Sequence, residues 1–312
     1  MQKKGYDSFE ILINPSASSG KGMRVWKKVK KELDARGVPY RKHLLEAPGE
    51  ATLLVRDLTK SLTSDLHLLV LGGDGTLNEV LNGIQDFQHT TLSCIRTGSG
   101  NDFARNVGIE KDTEKALAQL LDHPMEAALD YGLIRADEHT PRRFLISSGM
   151  GYDADICEEV SKSKLKKVLN RFGLGKLVYL MIGVKQIFTR EDVDAKLYLD
   201  DKEPIPVPHL FFLVGMMHPK EGGGVPFCPD ADPTDSLMDL CLVRNMPKWK
   251  LMLGVALVYL KKHLIFKNIT CHRCKTMRLV ADKPQWVHLD GETPYQAKEV
   301  LWVTKGKVRF MK

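Results

Sequence analysis

The feature that most limits the fold of this chain is the alternation of short apolar runs with amphipathic stretches as far as about Asp130. Residues 9–13 precede an amphipathic stretch at 22–36, 40–45 precede 50–62, and 66–71 precede 76–84. This order reads βαβαβα. In Leu68-Leu69-Val70-Leu71 every residue is apolar, which calls for burial on both faces of a sheet, and a parallel sheet between two helical layers meets that demand. A further strand at 91–95 and a helix at 113–121 continue the pattern. From Leu129 strand-like segments dominate, at 144–148, 193–199, 210–214, 238–243 and 277–280, interrupted by helical stretches at 165–188 and 247–260. The expectation is an α/β chain: a three-layer parallel-sheet domain over residues 1–130 and a mostly antiparallel domain after it.

Composition narrows the function classes. With 312 residues, 43% of them hydrophobic, the chain has enough apolar surface for two packed domains, which excludes disorder. Lys and Arg number 46 against 39 Asp and Glu, and the resulting +7 suits phosphates or an anionic membrane surface without marking a nucleic-acid binder. The longest apolar run, 251–260, is shorter than the roughly 20 residues that span a bilayer, and the first residues lack an apolar signal core. A cytoplasmic protein is expected. Of six cysteines only Cys271 and Cys274 stand in CxxC spacing, half a zinc site at most, while Cys94, Cys157, Cys228 and Cys241 read as reduced, small apolar side chains.

Chemistry concentrates in two glycine clusters. Gly72-Gly73-Asp74-Gly75-Thr76-Leu77-Asn78-Glu79 follows a buried strand and opens a helix. In an open α/β sheet that position takes ligands: glycines let backbone amides approach a polyphosphate, and the helix N-terminus favours its charge. Thr76 and Glu79 fit a capping box for that helix. An acid inside a phosphate cradle needs a cation, so Asp74 is expected to face nucleotide-bound Mg²⁺. Gly98-Ser99-Gly100-Asn101-Asp102-Phe103-Ala104-Arg105 follows the next strand in the same position, and Asn14-Pro15-Ser16-Ala17-Ser18-Ser19-Gly20 ends the first one. Neither glycine cluster is a Walker loop, and Phe103 stands where a dinucleotide fingerprint needs its third glycine.

In order and content these blocks resemble the diacylglycerol kinase catalytic family, in particular its soluble bacterial lipid-kinase branch. The likeness runs on through Gly149-Met150-Gly151-Tyr152-Asp153-Ala154, Glu221-Gly222-Gly223-Gly224, Pro229-Asp230-Ala231 and Asp290-Gly291-Glu292. It implies a nucleotide-binding domain related to those of phosphofructokinases and NAD kinases, completed by about 297–312, and a C-terminal β-sandwich for the lipid substrate over 131–296. ATP would lie on Asn14, Pro15, Ser16, Gly20, Gly72, Gly73, Asp74, Gly75, Thr76, Asn78, Gly98, Ser99, Asn101 and Asp102. Glu292 matches the proposed general base, although Asp290-Gly291 also reads as a plain two-residue hairpin turn. A structural Mg²⁺ would take the Asp235 side chain and the carbonyls of Asp232 and Leu237. Three departures from the family pattern stand out: Arg96 in place of a proline, Leu45 in place of a nucleotide-contacting threonine, and Ser236 in place of a glycine.

The implied activity is phosphorylation of the free hydroxyl of diacylglycerol, or a similar lipid alcohol, at an anionic membrane surface by a peripheral enzyme. A homodimer is compatible with it. Residues 161–190 carry eight Lys or Arg and no acid, a pattern suited to anionic lipid or to a solvated basic helix. Two other readings share parts of the sequence. A soluble-substrate kinase such as NAD kinase has the Gly-Gly-Asp-Gly loop but not the Asn101–Arg105 block, and a non-catalytic nucleotide-responsive lipid binder would have no use for Asp74 and Glu292.

Overall fold

The computed structural model describes residues 8–18, 20–163 and 175–312, without the side chains of 175–177. The chain divides into two compact units, Met1–Asp130 with Gly306–Lys312, and Tyr131–Lys305. The returning segment starts later than 297 because its strand stays paired within the second unit as far as Val303.

In the first unit, β1 (Phe9–Ile13), β2 (Tyr40–Leu44), β3 (Leu66–Gly72) and β4 (Thr90–Arg96) form a parallel sheet in the order β4-β3-β1-β2. Its outer edge at β4 is extended by Arg309 and Phe310, also in parallel. Ile11, Leu12, Leu68, Leu69, Val70 and Leu71 are fully buried, as an all-apolar strand covered on both faces should be. Helix α1 (Lys21–Arg36) lays Val25, Trp26, Val29 and Leu33 on one of those faces, a spacing that matches one side of a helix. Helices α2 (Glu50–Thr59) and α3 (Asp74–Gly83) follow β2 and β3, while α4 (Asp102–Asn106) and α5 (Thr113–Asp122) follow β4. Asp112 caps α5 by accepting from the backbone N–H groups of Glu114 and Lys115.

The second unit is antiparallel. Its strands are the end of β5 (Glu126–Ala136), β6 (Arg142–Phe144), β7 (Ser147–Gly151), β8 (Val193–Leu199), β9 (Ile205–Met216), β10 (Met238–Arg244), β11 (Ile269–Cys274), β12 (Thr276–Leu289) and the first part of β13 (Glu292–Met311). Two long strands change partner midway: β9 pairs β8 through residues 205–210 and β7 through 212–216, while β12 pairs β8 through 277–281 and β7 through 287–289. Such switching wraps a sheet around a sandwich core, here built on Trp302, Phe144, Leu213, Leu240, Met277 and Leu279. Helix α6 (Tyr152–Lys162), absent from the sequence reading, packs against the helix Gly175–Thr189.

Two expectations are corrected by local geometry. Helix α3 starts at Asp74 with Gly73 as its N-cap and no side-chain cap, so Thr76 lies inside the first turn and Thr76 and Glu79 form no capping box. Cys271 and Cys274 lie three residues apart on an extended strand, opposite Cys241 and Met238 respectively. An odd separation sends the two sulfurs to opposite sheet faces, one exposed and one buried, so they do not form half of a zinc site.

Candidate active site

The first unit brings its three loops together at the carboxyl ends of β1, β3 and β4. Strands β3 and β4 run in register to Gly72 opposite Arg96, and Thr97 N–H donates to the Gly72 carbonyl at 3.1 Å. Beyond that bond the backbones touch: a Cβ on Gly98 would lie 2.6 Å from Cα of Gly73, and one on Gly73 would lie 3.0 Å from Cα of Gly98. No side chain fits between two main chains at that distance, which accounts for glycine at both positions. Asn14 ties in the third loop, donating from Nδ2 to Thr76 Oγ1 at 3.0 Å and accepting from Ser16 Oγ and Ala17 N–H. Ser18 Oγ and Ser99 Oγ lie 3.2 Å apart across the loops. Gly20, with φ 89°, gives α1 a left-handed N-cap that suits glycine.

Asp74 is the hinge of this arrangement. Its carboxylate accepts the backbone N–H groups of Asp102 at 3.0 Å and Phe103 at 3.1 Å, so it holds the start of α4 against the first glycine loop. Asn101, the N-cap of that helix at φ 51°, donates from Nδ2 to the Gly98 carbonyl. Asp74 Oδ2 and Asp102 Oδ2 converge over Gly100: a Cβ there would lie 3.0 Å from the first and 3.6 Å from the second. A carboxylate has about four acceptor positions, and two carboxylate oxygens gathered at a bare glycine are a donor set that fits a hard divalent cation. Arg105 Nη1 balances Asp102 from the other side at 3.1 Å. Asn78 is placed differently: it is buried, with Oδ1 accepting from Asn82 Nδ2 one turn further along α3. Arg96 donates to the carbonyls of Ala104 and Ile109; it braces the segment after the second glycine loop, and burial with nearby Arg105 holds its pKa below the usual value. Leu45 is buried, its N–H bonded to the Ile13 carbonyl.

In the second unit, Asp290 and Gly291, at φ 48° and 87°, form the two-residue turn between β12 and β13 with Leu289 opposite Glu292. The Asp290 carboxylate accepts the backbone N–H groups of Leu145, Ile146 and Ser147, which pins the hairpin. Glu292 opens β13 with its side chain 50% exposed and one oxygen 3.8 Å from Arg142 Nη2. One strand back, His288 donates to Asp153 at 2.8 Å, with Glu221 alongside. Burial alone would lower the pKa of His288, but Asp153, then Glu221 and Asp290, outweigh it and lift the value to about 9. Among the described residues Asp153, Glu221 and His288 are the group with metal-ligand spacing, and their ligand atoms lie within 4.8 Å of one another; a proton on His288 already supplies positive charge there. The sequence reading took Asp153 and Glu221 only as parts of family blocks and missed His288. At Asp235 the carboxylate accepts Leu237 N–H and lies 3.5 Å from Arg273 Nη1, and the same guanidinium bonds Asp239. Arg273, also missed, adds a positive charge beside Asp235 and Asp239, and Asp232 Oδ1 accepts from Thr234 N–H and Oγ1. Ser236 sits at φ 64°, the left-handed geometry for which the family uses glycine.

Family comparison decides what these loops belong to. The model of the diacylglycerol kinase catalytic domain matches residues 8–132, and that of the YegS C-terminal NAD kinase beta sandwich-like domain matches residues 146–309. The chain is 30% identical over 293 residues to the "Putative lipid kinase YtlR" of Bacillus subtilis (strain 168), covering 92% of this chain and 94% of the relative. It belongs to the diacylglycerol kinase catalytic-domain family. Within this family of lipid kinases, the diacylglycerol kinase of Bacillus subtilis (strain 168) is 24% identical over 287 residues, covering 90% and 88% of the two chains. A crystal structure titled "putative diacylglycerol kinase" from Bacillus anthracis str. Sterne superposes with a TM-score of 0.76 at 18% identity, covering 99% of this chain and 96% of that one. That likeness concerns the fold: an N-terminal α/β domain and a C-terminal β-sandwich. No helix among the described residues is long and apolar enough to cross a membrane.

Proposed function

We propose that this family member transfers the γ-phosphoryl group of ATP to the free hydroxyl of diacylglycerol, giving phosphatidic acid, with Mg²⁺ as the required cation. The observation that carries the reading is the placement of Asp74 Oδ2 and Asp102 Oδ2 beside Gly100, 3.0 Å and 3.6 Å from where a Cβ would lie, next to glycines 73 and 98 whose backbones touch. Exposed main-chain amides at a strand end receive phosphate oxygens, and the two carboxylates would hold the cation. Held by Asp74 and Asp102, such a cation would supply charge neutralisation to the phosphates. Ser16, Ser99 and the amides of residues 72–75 orient the polyphosphate, while Asn14 keeps the loops in place. Glu292, half exposed at the head of its strand, accepts the proton of the lipid hydroxyl; deprotonation late in a loose transition state needs only a carboxylate in reach. Arg142 Nη2 lies 3.8 Å from that carboxylate.

A structural Mg²⁺ on the Asp235 side chain and the carbonyls of Asp232 and Leu237 would brace this turn and takes no part in the transfer itself. The experiment that tests the reading supplies ATP, Mg²⁺ and mixed micelles of diacylglycerol, phosphatidylglycerol or a long-chain base, with NAD as a soluble acceptor, and compares wild type with Asp74→Ala and Glu292→Gln. Label is expected in phosphatidic acid. Label in NAD and in no lipid overturns the proposal.

A further inference from the structure

In the second unit the helix Lys248–Tyr259 is apolar nearly all round, yet only Leu251, Gly254 and Val258 are buried. A helix of that composition normally lies inside a protein or a membrane. Here its outer side faces solvent. Trp249, Tyr259 and Leu260 are 66%, 62% and 64% exposed, and the short turn that follows adds Ile265 at 66%. The neighbouring helix Gly175–Thr189 continues the surface with Met181 and Phe188, and Lys248 Nζ joins the two helices by donating to the Phe188 carbonyl at 2.7 Å. Large exposed apolar surfaces of this kind mark binding faces.

Charge identifies the occupant. Between Arg244 and Lys267 the sequence carries Lys248, Lys250, Lys261, Lys262 and Lys267 and not one Asp or Glu, and the helix 175–189 has no acid either. A second copy of the same face would bring lysines against lysines. Tryptophan and tyrosine beside lysines match the level of lipid headgroups, where an aromatic ring is half wet and a lysine stem reaches the phosphates. The basic stretch noted in the sequence contributes less to such a face than its count of charges implies: Lys162, Lys185 and Arg190 are ion-paired with Glu158, Glu159 and Asp155, and 164–174 lie outside the described residues. We infer that the face formed by Trp249, Tyr259, Leu260 and Ile265 with Met181 and Phe188 seats the enzyme on an anionic lipid bilayer, its lysine rim holding the headgroups. The choice of a bilayer rests in part on the proposed lipid-kinase activity.

The test uses the full chain with phosphatidylcholine vesicles, with and without phosphatidylglycerol. Two variants change exposed positions only: Trp249→Ser with Ile265→Ser, and Lys261→Glu with Lys262→Glu and Lys267→Glu, each checked for an unchanged melting curve. Wild type is expected to sediment with phosphatidylglycerol vesicles. The charge variant should lose that partition on the order of a hundredfold, since each lysine near an anionic surface contributes about fivefold, and the serine variant should lose roughly tenfold or more. Transfer to a short-chain diacylglycerol dissolved below its micelle concentration should be equal in all three proteins. Equal sedimentation of all three overturns the docking face, as does a wild-type dimer that the serine variant dissociates in light scattering. Vesicle binding that follows the expected order without phosphorylation of any diacylglycerol supports the face and overturns the proposed reaction.

Discussion

Two buried histidines, one in each unit, are held in opposite charge states. In the parallel unit His67 lies in the sheet bonded to Ser93 at 2.7 Å, and burial, with Arg309 adding to it, pushes its pKa down to about 3. It is a neutral spacer. In the antiparallel unit His288 carries its proton against Asp153, and Asp290 rests on three backbone amides. In an open parallel sheet the ligand-binding groups gather on the loops beyond the strand ends, and the charges buried in the strands of this unit, Glu10 and Asp130, are ion-paired. A sandwich whose long strands bend and change partner fixes its corners with buried polar groups. Changes in the glycine loops should therefore act on ligand binding, and changes in the second unit's polar interior should act on stability, with Glu292 as the exception.

That exception gives the largest expected effect. Glu292→Gln should lower kcat by roughly 10²–10⁴-fold, the usual contribution of a positioned acid or base, while ATP affinity measured by calorimetry stays unchanged; a matching loss of ATP affinity would make Glu292 part of the nucleotide site. Gly98→Ala should weaken ATP binding about tenfold or more, because its new Cβ meets the Gly73 backbone at 2.6 Å and the loops must separate. Wild-type ATP affinity in this variant would show that the loops do not hold the phosphates. Asp290→Ala should cost roughly 3 kcal/mol of stability in urea unfolding, as three amides lose a charged acceptor. Followed by the fluorescence of buried Trp302 in the second unit and Trp26 in the first, the loss should appear in the Trp302 signal.

Titration sharpens the same contrast. His288, with a folded pKa of about 9 against roughly 6.5 in the unfolded chain, contributes stability fully below pH 6.5 and loses it as the pH rises through 9. His67 and His218, at about 3 and about 4 through burial, stay neutral in the fold. The unfolded chain gains their protons below about pH 6.5, so stability falls from there toward pH 4. Unfolding free energies measured across this range should decline on both sides, and His288→Gln should flatten only the alkaline side. The smallest effect belongs to Ser236→Gly, which should stabilise the fold by about 1 kcal/mol or less by removing a left-handed serine.

The first unit was the more legible in sequence. Continuous apolar strands and glycine clusters at their ends are local signals, and Leu68–Leu71 with Gly72 and Gly98 are enough to place both loops. What escaped was set by partners distant in the chain. Asn14 meets Thr76, Asp74 meets Asp102, and Arg273 meets Asp235 and Asp239; nothing in the spacing of either partner signals the other. Thr76 shows the converse error, since its spacing to Glu79 suits a cap that the direct step from strand to helix leaves no room to form. Helix α6 was hidden because its first turn, Tyr152-Asp153-Ala154-Asp155, carries two acids and little apolar periodicity. Asp290-Gly291 was readable as a hairpin, but the three amides that Asp290 accepts come from a segment nearly half the chain away.

Transfer of label from γ-labelled ATP to diacylglycerol in mixed micelles, with Mg²⁺ present or chelated, tests the central claim most directly. Phosphatidic acid should form with the wild type, disappear with chelation and with Asp74→Ala, and fall at least a hundredfold with Glu292→Gln. Full transfer by Asp74→Ala, or label in a soluble acceptor and none in any lipid, would contradict it.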